Sequence, residues 1–275
     1  MKYFRASLRS LSLVLVALGG LLSQQNAVAA DAAAQTYYLF VFSNPAAGKE
    51  VEFNKWYDEQ HAPDVTSVPG FVNGQRFELA PRQLRAVTPE LPKYLVVYKI
   101  VTKDLAAVYA EVNRRATSGE TRMSNTVDMK SFINRTYRTI RPELSGNSSD
   151  AGKAAGAKQT YYQFVFGEAA SEAQDKEFND WYDQYHAPEI LKVPGFVWGQ
   201  RMMFSDVQLN SSAAGSKYLM SFRIETNDLN ATLDGFSAVA PKMTMSKAFG
   251  TALGYTYKAI GPQLDGEKIR ASRKK

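Results

Sequence analysis

The sequence predicts an α+β chain made of two ferredoxin-like βαββαβ units, packed sheet to sheet as an intrachain barrel. Three observations carry this. First, the body of the chain is written twice: "TYYLFVF" (36–42) matches "TYYQFVF" (160–166), "EFNKWYDEQHAP" (52–63) matches "EFNDWYDQYHAP" (177–188), and "VPGFVNGQR" (68–76) matches "VPGFVWGQR" (193–201). The matches keep their order at a spacing of about 120 to 125 residues, far longer than a solenoid repeat. Second, the hydrophobic periodicity inside each copy alternates between strand and helix in the order βαββαβ. Third, one such unit covers only one face of its sheet with helices, and a second copy supplies a partner for the other face.

Each element has its own justification. "TYYLFVF" is an aromatic and β-branched apolar run, hence a buried strand. "PAAGKEVEFNKWYDEQH" has helical spacing and should stop at Pro63. "GFVNGQRFEL" alternates as a second strand after the Pro69-Gly70 turn, and "KYLVVYKIV" is a third. Thr102 is expected to cap the helix "KDLAAVYAEVNRRA", and "FINRTYRTI" closes the unit as a fourth strand. The units run over 36–144 and 160–264. Between them "SGNSSDAGKAAGAKQ" (145–159) has the Ser, Gly and Ala content of a flexible linker.

The ends differ in character from the body. Residues 1–30 combine Lys2, Arg5 and Arg9, an apolar stretch from Leu11 to Leu22, and a small-residue end "NAVAA". This is the three-part pattern of a signal peptide cleaved before Asp31, with an apolar run too short to span a bilayer. It implies a periplasmic or secreted protein, with no stable membrane insertion after cleavage. The chain has no cysteine, which rules out disulfides, thiolate chemistry and cysteine-ligated metals. Of the formal net charge of +6, half lies in the first thirty residues and half in the tail 265–275, so the folded body is close to neutral. A nucleic-acid-binding domain would carry a basic stripe of its own, so that class is excluded. The tail reads as a solvated basic end.

The only two histidines, His61 and His186, sit in the repeated octapeptides "WYDEQHAP" (56–63) and "WYDQYHAP" (181–188). At the helical angle, Phe53, Trp56, Tyr57 and Gln60 share one side, as do Phe178, Trp181, Tyr182 and Tyr185, and these stripes should be core. Asn54, Asp58 and His61 lie together on the border of that face, and Asn179, Asp183 and His186 repeat the arrangement. An Asp three residues before a His can hold the imidazole and raise its pKa, the minimal general acid/base pair. Helix-end chemistry, in which the imidazole favours the negative end of the dipole, explains the same spacing. On the second strand Arg76 and Glu78 share a face, as a surface ion pair or as ligand contacts; Arg201 repeats the arginine while Met203 replaces the glutamate. Tyr94, Tyr98 and Tyr137, with Tyr218 and Tyr257, are candidates to line the space between the sheets. There is no phosphate loop, no HExxH and no nucleophile elbow, and no protein-ligated metal is expected.

The run "EFNKWYDEQHAPDVTSVPGFVNGQRF" and its second copy resemble the signature of EthD-like proteins in the dimeric α/β-barrel superfamily. Those proteins show an aromatic residue, then His-x-Pro, then a V/L-P-G turn and a strand. Here the motif appears as His61-Ala62-Pro63 with Val68-Pro69-Gly70, and as His186-Ala187-Pro188 with Val193-Pro194-Gly195. The resemblance implies a cleft between sheet and helices for a small, often aromatic or polyketide-like molecule. It implies site roles for His61 and His186, oriented by Asp58 and Asp183, with Asn54, Asn179, Arg76, Arg201, Tyr94 and Tyr218 as ligand contacts. The chemistry implied is cofactor-free proton transfer of isomerase, cyclase, lyase or monooxygenase type. A non-catalytic carrier and a haem-binding barrel with a histidine ligand are the alternatives. The pseudo-dimer is intrachain, with further oligomerisation left open. Relatives are typically single-domain and cytoplasmic, whereas this chain is a tandem with an export pattern.

Overall fold

The computed structural model describes residues 33–86, 91–146, 157–210 and 213–274. The expected signal peptide and most of the expected linker lie outside the described residues. Strands β1 (Gln35–Pro45), β2 (Phe71–Leu79), β3 (Tyr94–Thr102) and β4 (Val127–Thr139) form the first half, with a two-residue β5 (Leu144–Ser145) after them. β6 (Gln159–Ala169), β7 (Phe196–Phe204), β8 (Tyr218–Thr226) and β9 (Phe249–Asp265) form the second. The nine strands make one sheet in the order β4-β1-β3-β2-β9-β6-β8-β7-β5, and β4 also pairs with β7. That last pairing, Tyr137 opposite Phe204 through Thr139 opposite Met202, closes the sheet into a barrel and leaves β5 on its rim.

Period-two alternation divides each strand between two cores. Phe40, Phe42, Phe77, Leu95 and Tyr137 from the first half meet Phe164, Phe166, Met202, Leu219, Tyr255 and Tyr257 from the second in the barrel interior. The opposite faces are covered by helices. In the first half, α1 comprises Glu50–Trp56, a π-helical turn Tyr57–His61 and a final α-helical stretch Ala62–Thr66, and α2 is Leu105–Ser118. In the second, α3 comprises Asp175–Trp181, a π-helical turn Tyr182–His186 and Ala187–Ile190, and α4 is Leu229–Val239. Among the described residues no helix is long and apolar enough to cross a membrane.

Four local expectations are corrected. The first helix does not stop at Pro63. It runs on to Thr66, because the π turn, in which Ala62 N–H donates to Tyr57 O five residues back, widens the backbone ahead of a residue that lacks an N–H and would crowd an α-helical turn. The same wide turn breaks the predicted stripe: Tyr57 and Tyr182 are buried, but Gln60 and Tyr185 are exposed. The cap of α2 is Asp104, whose carboxylate accepts from Ala107 N–H at 2.9 Å; Thr102 only positions it, by accepting from Asp104 N–H. The basic tail is not a solvated end. It forms α5 (Gly266–Ser272), where Arg270 donates to Phe71 O at 3.0 Å and Arg273 reaches Asp64 and Ser67. The VPG turns behave as expected, with Gly70 and Gly195 at φ of 96° and 91°, where a side chain would be strained.

Candidate functional site

The widened turn decides where the octapeptide side chains go. His61 stacks on Trp56 at 4.4 Å between ring centroids and meets Tyr57 edge-on at 5.2 Å; His186 repeats this with Trp181 at 4.5 Å and Tyr182 at 5.1 Å. Each imidazole is gripped between two aromatic rings, and each Nδ1 is buried without a hydrogen-bond partner. Burial disfavours the imidazolium and pushes both histidines down to about 4. The expected Asp–His pairs are therefore corrected, in contact and in the direction of the shift.

The aspartates serve the arginines instead. Arg76 donates to Asp58 at 2.6 Å and to Asn54 Oδ1 at 2.7 Å; Arg201 donates to Asp183 at 2.5 Å and to Asn179 Oδ1 at 2.9 Å. Asp183 also accepts from Arg141 at 2.5 Å. Each guanidinium lies over a tyrosine ring, Arg76 over Tyr57 at 5.0 Å and Arg201 over Tyr182 at 4.6 Å. The network continues outward. Asn54 and Asn179 donate to the hydroxyls of Tyr94 and Tyr218, which donate to Glu50 and Asp175. Arg76, Asn54 and Tyr94, like Arg201, Asn179 and Tyr218, are thus occupied in tying helix to sheet. The expected surface pair of Arg76 with Glu78 is absent: Arg76 is buried, and Glu78 faces Lys93 at 3.2 Å. Of the tyrosines assigned to the inter-sheet space, Tyr137 and Tyr257 lie in the barrel interior, while Tyr94, Tyr98 and Tyr218 lie in the helix-facing cores.

A cavity of about 580 Å³ opens between sheet and helices in the second half. Val165, Phe178, Met220, Phe236 and Met243 give it apolar walls; His186, Arg201 and Gln163 are polar groups in them. Leu84, Arg85 and Ala86, from the loop after β2 in the first half, complete its rim. Differences between the two copies account for this asymmetry. Val41 pairs with Asn134, whereas its counterpart Val165 pairs with Gly254. Ser43 stands where the second half has Gly167, and the bulky Tyr109 of α2 stands where α4 has Leu233. Smaller side chains hollow the second half, while Leu39 and Tyr109 help fill the first. Gln163 is a further cavity residue, outside the octapeptide motifs. Its signal was the single departure between "TYYLFVF" and "TYYQFVF", a polar side chain in a strand that reads as buried.

The class is now defined: two βαββαβ sets closing one antiparallel barrel with helices outside make this a dimeric α/β-barrel fold contained in a single chain. No protein-family model matches the chain, and no curated protein matches it in sequence. Solved structures of similar architecture include an anthrone oxidase-like protein, 11% identical, covering 84% of this chain and 93% of that one at a TM-score of 0.49. An encapsulated DyP-type peroxidase from Mycobacterium smegmatis is 10% identical over 87% and 96%, with a TM-score of 0.45. A mutant chlorite dismutase from Candidatus Nitrospira defluvii is 12% identical over 86% and 94%, with a TM-score of 0.44. At such identities the likeness concerns architecture and not activity.

Proposed function

We propose that this is an exported, tandem EthD-like barrel that binds a small, flat, largely apolar molecule, aromatic or polyketide-like, in the second-half cavity. The cavity itself carries the reading: about 580 Å³ lies within the range of small-molecule sites, and its apolar walls hold few polar groups. Native mass spectrometry of the purified mature chain tests it. A co-purified organic ligand of a few hundred daltons is expected, and a chain that never retains or takes up such a molecule overturns the proposal. Export to the periplasm or beyond rests on the N-terminal pattern alone; recovery in the cell envelope fraction with Asp31 as the first residue is the expected result.

A second reading, proton transfer by His186, is favoured by one observation. Its imidazole is neutral at pH 7, lines the cavity and is not held by a carboxylate. In this reading His186 takes a proton from the ligand and returns it to another atom of the same ligand; burial lowers its basicity, so it serves only a ligand whose proton is itself acidic. Turnover that survives His186→Gln in a folded protein removes this reading. His61, 8% exposed in the more filled half, is a packing residue. Haem fits these residues poorly. A ligating imidazole hands its other N–H to an acceptor, and the buried Nδ1 of His186 has none. Among the described residues no group of three His, Cys, Asp or Glu could hold a metal ion.

A further inference from the structure

We propose that Gln163 is the hydrogen-bond donor that selects an oxygen acceptor, a ketone or quinone carbonyl, on the ligand of the second-half cavity; this rests on the small-molecule reading above. Gln163 lies on β6 in a strand segment that is otherwise apolar, is 2% exposed, and contributes to the cavity wall. Its Oε1 accepts from the hydroxyl of Thr256 at 2.5 Å. Its Nε2 has no hydrogen-bond partner among the described residues. Gln163 lines the cavity, so this donor is open to a partner that the protein itself does not supply.

The other half shows that a glutamine is not needed for the local hydrogen bonding. The equivalent threonine, Thr136, shares its hydroxyl with the Tyr109 hydroxyl of α2 at 2.6 Å, and the strand position is the apolar Leu39. In the second half the pair Leu39 and Tyr109 is exchanged for Gln163 and Leu233. The exchange satisfies the Thr256 hydroxyl and adds a donor to a wall of apolar side chains. Space for that donor is cleared as well. A Cβ at Gly254 would lie 2.5 Å from Gln163 Nε2, so the amide rests directly over bare backbone on the cavity surface. An N–H donor among apolar walls recognises a flat molecule with a carbonyl oxygen, and rejects the same skeleton without one by leaving the donor unpaired.

Equilibrium dialysis of the mature chain with 1,4-naphthoquinone and with naphthalene tests the assignment. The chain has no cysteine for the quinone to alkylate. Water holds the quinone more strongly than the hydrocarbon, so burial alone favours naphthalene. The parent is expected to bind the quinone about fivefold or more tighter, the worth of one neutral hydrogen bond. Gln163→Leu, the residue of the first half, and Gln163→Met should abolish that preference while naphthalene still binds. A quinone preference that persists in both variants, or none in the parent, overturns the assignment with the cavity reading intact. No binding of either probe by the parent overturns the cavity reading and this assignment together.

Discussion

Arg201 takes the carboxylate of Asp183 at 2.5 Å, and His186, three residues further along the same helix, is left with no partner on its Nδ1. The choice follows from burial. A guanidinium only 2% exposed must be paired and fully hydrogen-bonded, whereas an imidazole can enter the interior by staying neutral. Asp58 makes the same choice in favour of Arg76.

Arg201→Ala should therefore be severe. It takes from Asp183 and Asn179 on α3 the guanidinium they share, leaves Asp183 only the half-exposed Arg141, and removes a cation from three aromatic faces. A loss of about 3–5 kcal/mol is expected, as for breaking one partner out of a buried pair. Urea unfolding measures it; a change under about 1 kcal/mol would show that the network is ornamental.

Both histidines should titrate far below the ordinary value. Each folded-state pKa is near 4, lowered by burial from 6.5. Between those values the unfolded chain binds protons that the folded chain refuses, so this contribution is complete above pH 6.5 and is lost as pH falls toward 4. NMR titration of the two imidazole Cε1 protons should give midpoints near 4, and the variant with both histidines replaced by Gln should show a flatter stability profile across that window. Midpoints above 6 contradict the burial argument.

Gly254→Ala pushes a methyl group to 2.5 Å from the Gln163 amide nitrogen. Overpacking of this kind costs about 1–3 kcal/mol. The cost should shrink when Gln163 is already Leu, because the first half accommodates Asn134 opposite its own apolar strand. A double-mutant cycle on unfolding free energies reads the coupling; additive effects would place the strain elsewhere.

Removal of α5 by a stop after Asp265 should weaken the first half rather than the second. It deletes the Arg270 contact to Phe71 O and the Arg273 contacts to Asp64 and Ser67. A loss of about 2 kcal/mol is expected from charge-assisted hydrogen bonds to backbone and side chain. Hydrogen exchange should rise in residues 64–71 before it rises around α3; uniform protection in the truncated chain would refute the docking role.

The sequence by itself determined the four strands and two helices of each half, their order and their closure into a barrel, because those follow from local periodicity and from the need of each sheet to cover its second face; it did not mark α5 or β5. It also marked Phe53, Tyr57, Phe178 and Tyr182 as core. The site was less legible. The relation of Asp58 to His61 was read from an α-helical angle, and the π turn at Tyr57–His61 replaced that angle. Arg76 and Asp58 are distant in sequence, so only the packing of α1 on β2 could show that the arginine takes the carboxylate. The repeated motif by itself does not distinguish the two halves. Tertiary structure decided that the cavity of about 580 Å³ lies in the second half, because its volume depends on which side chains from separate strands and helices meet, Gly254 against Val165 and Gly167 in place of Ser43. Local pattern fixes what each segment becomes; the volume left between segments is a sum over distant residues, and that sum exists only in the folded chain.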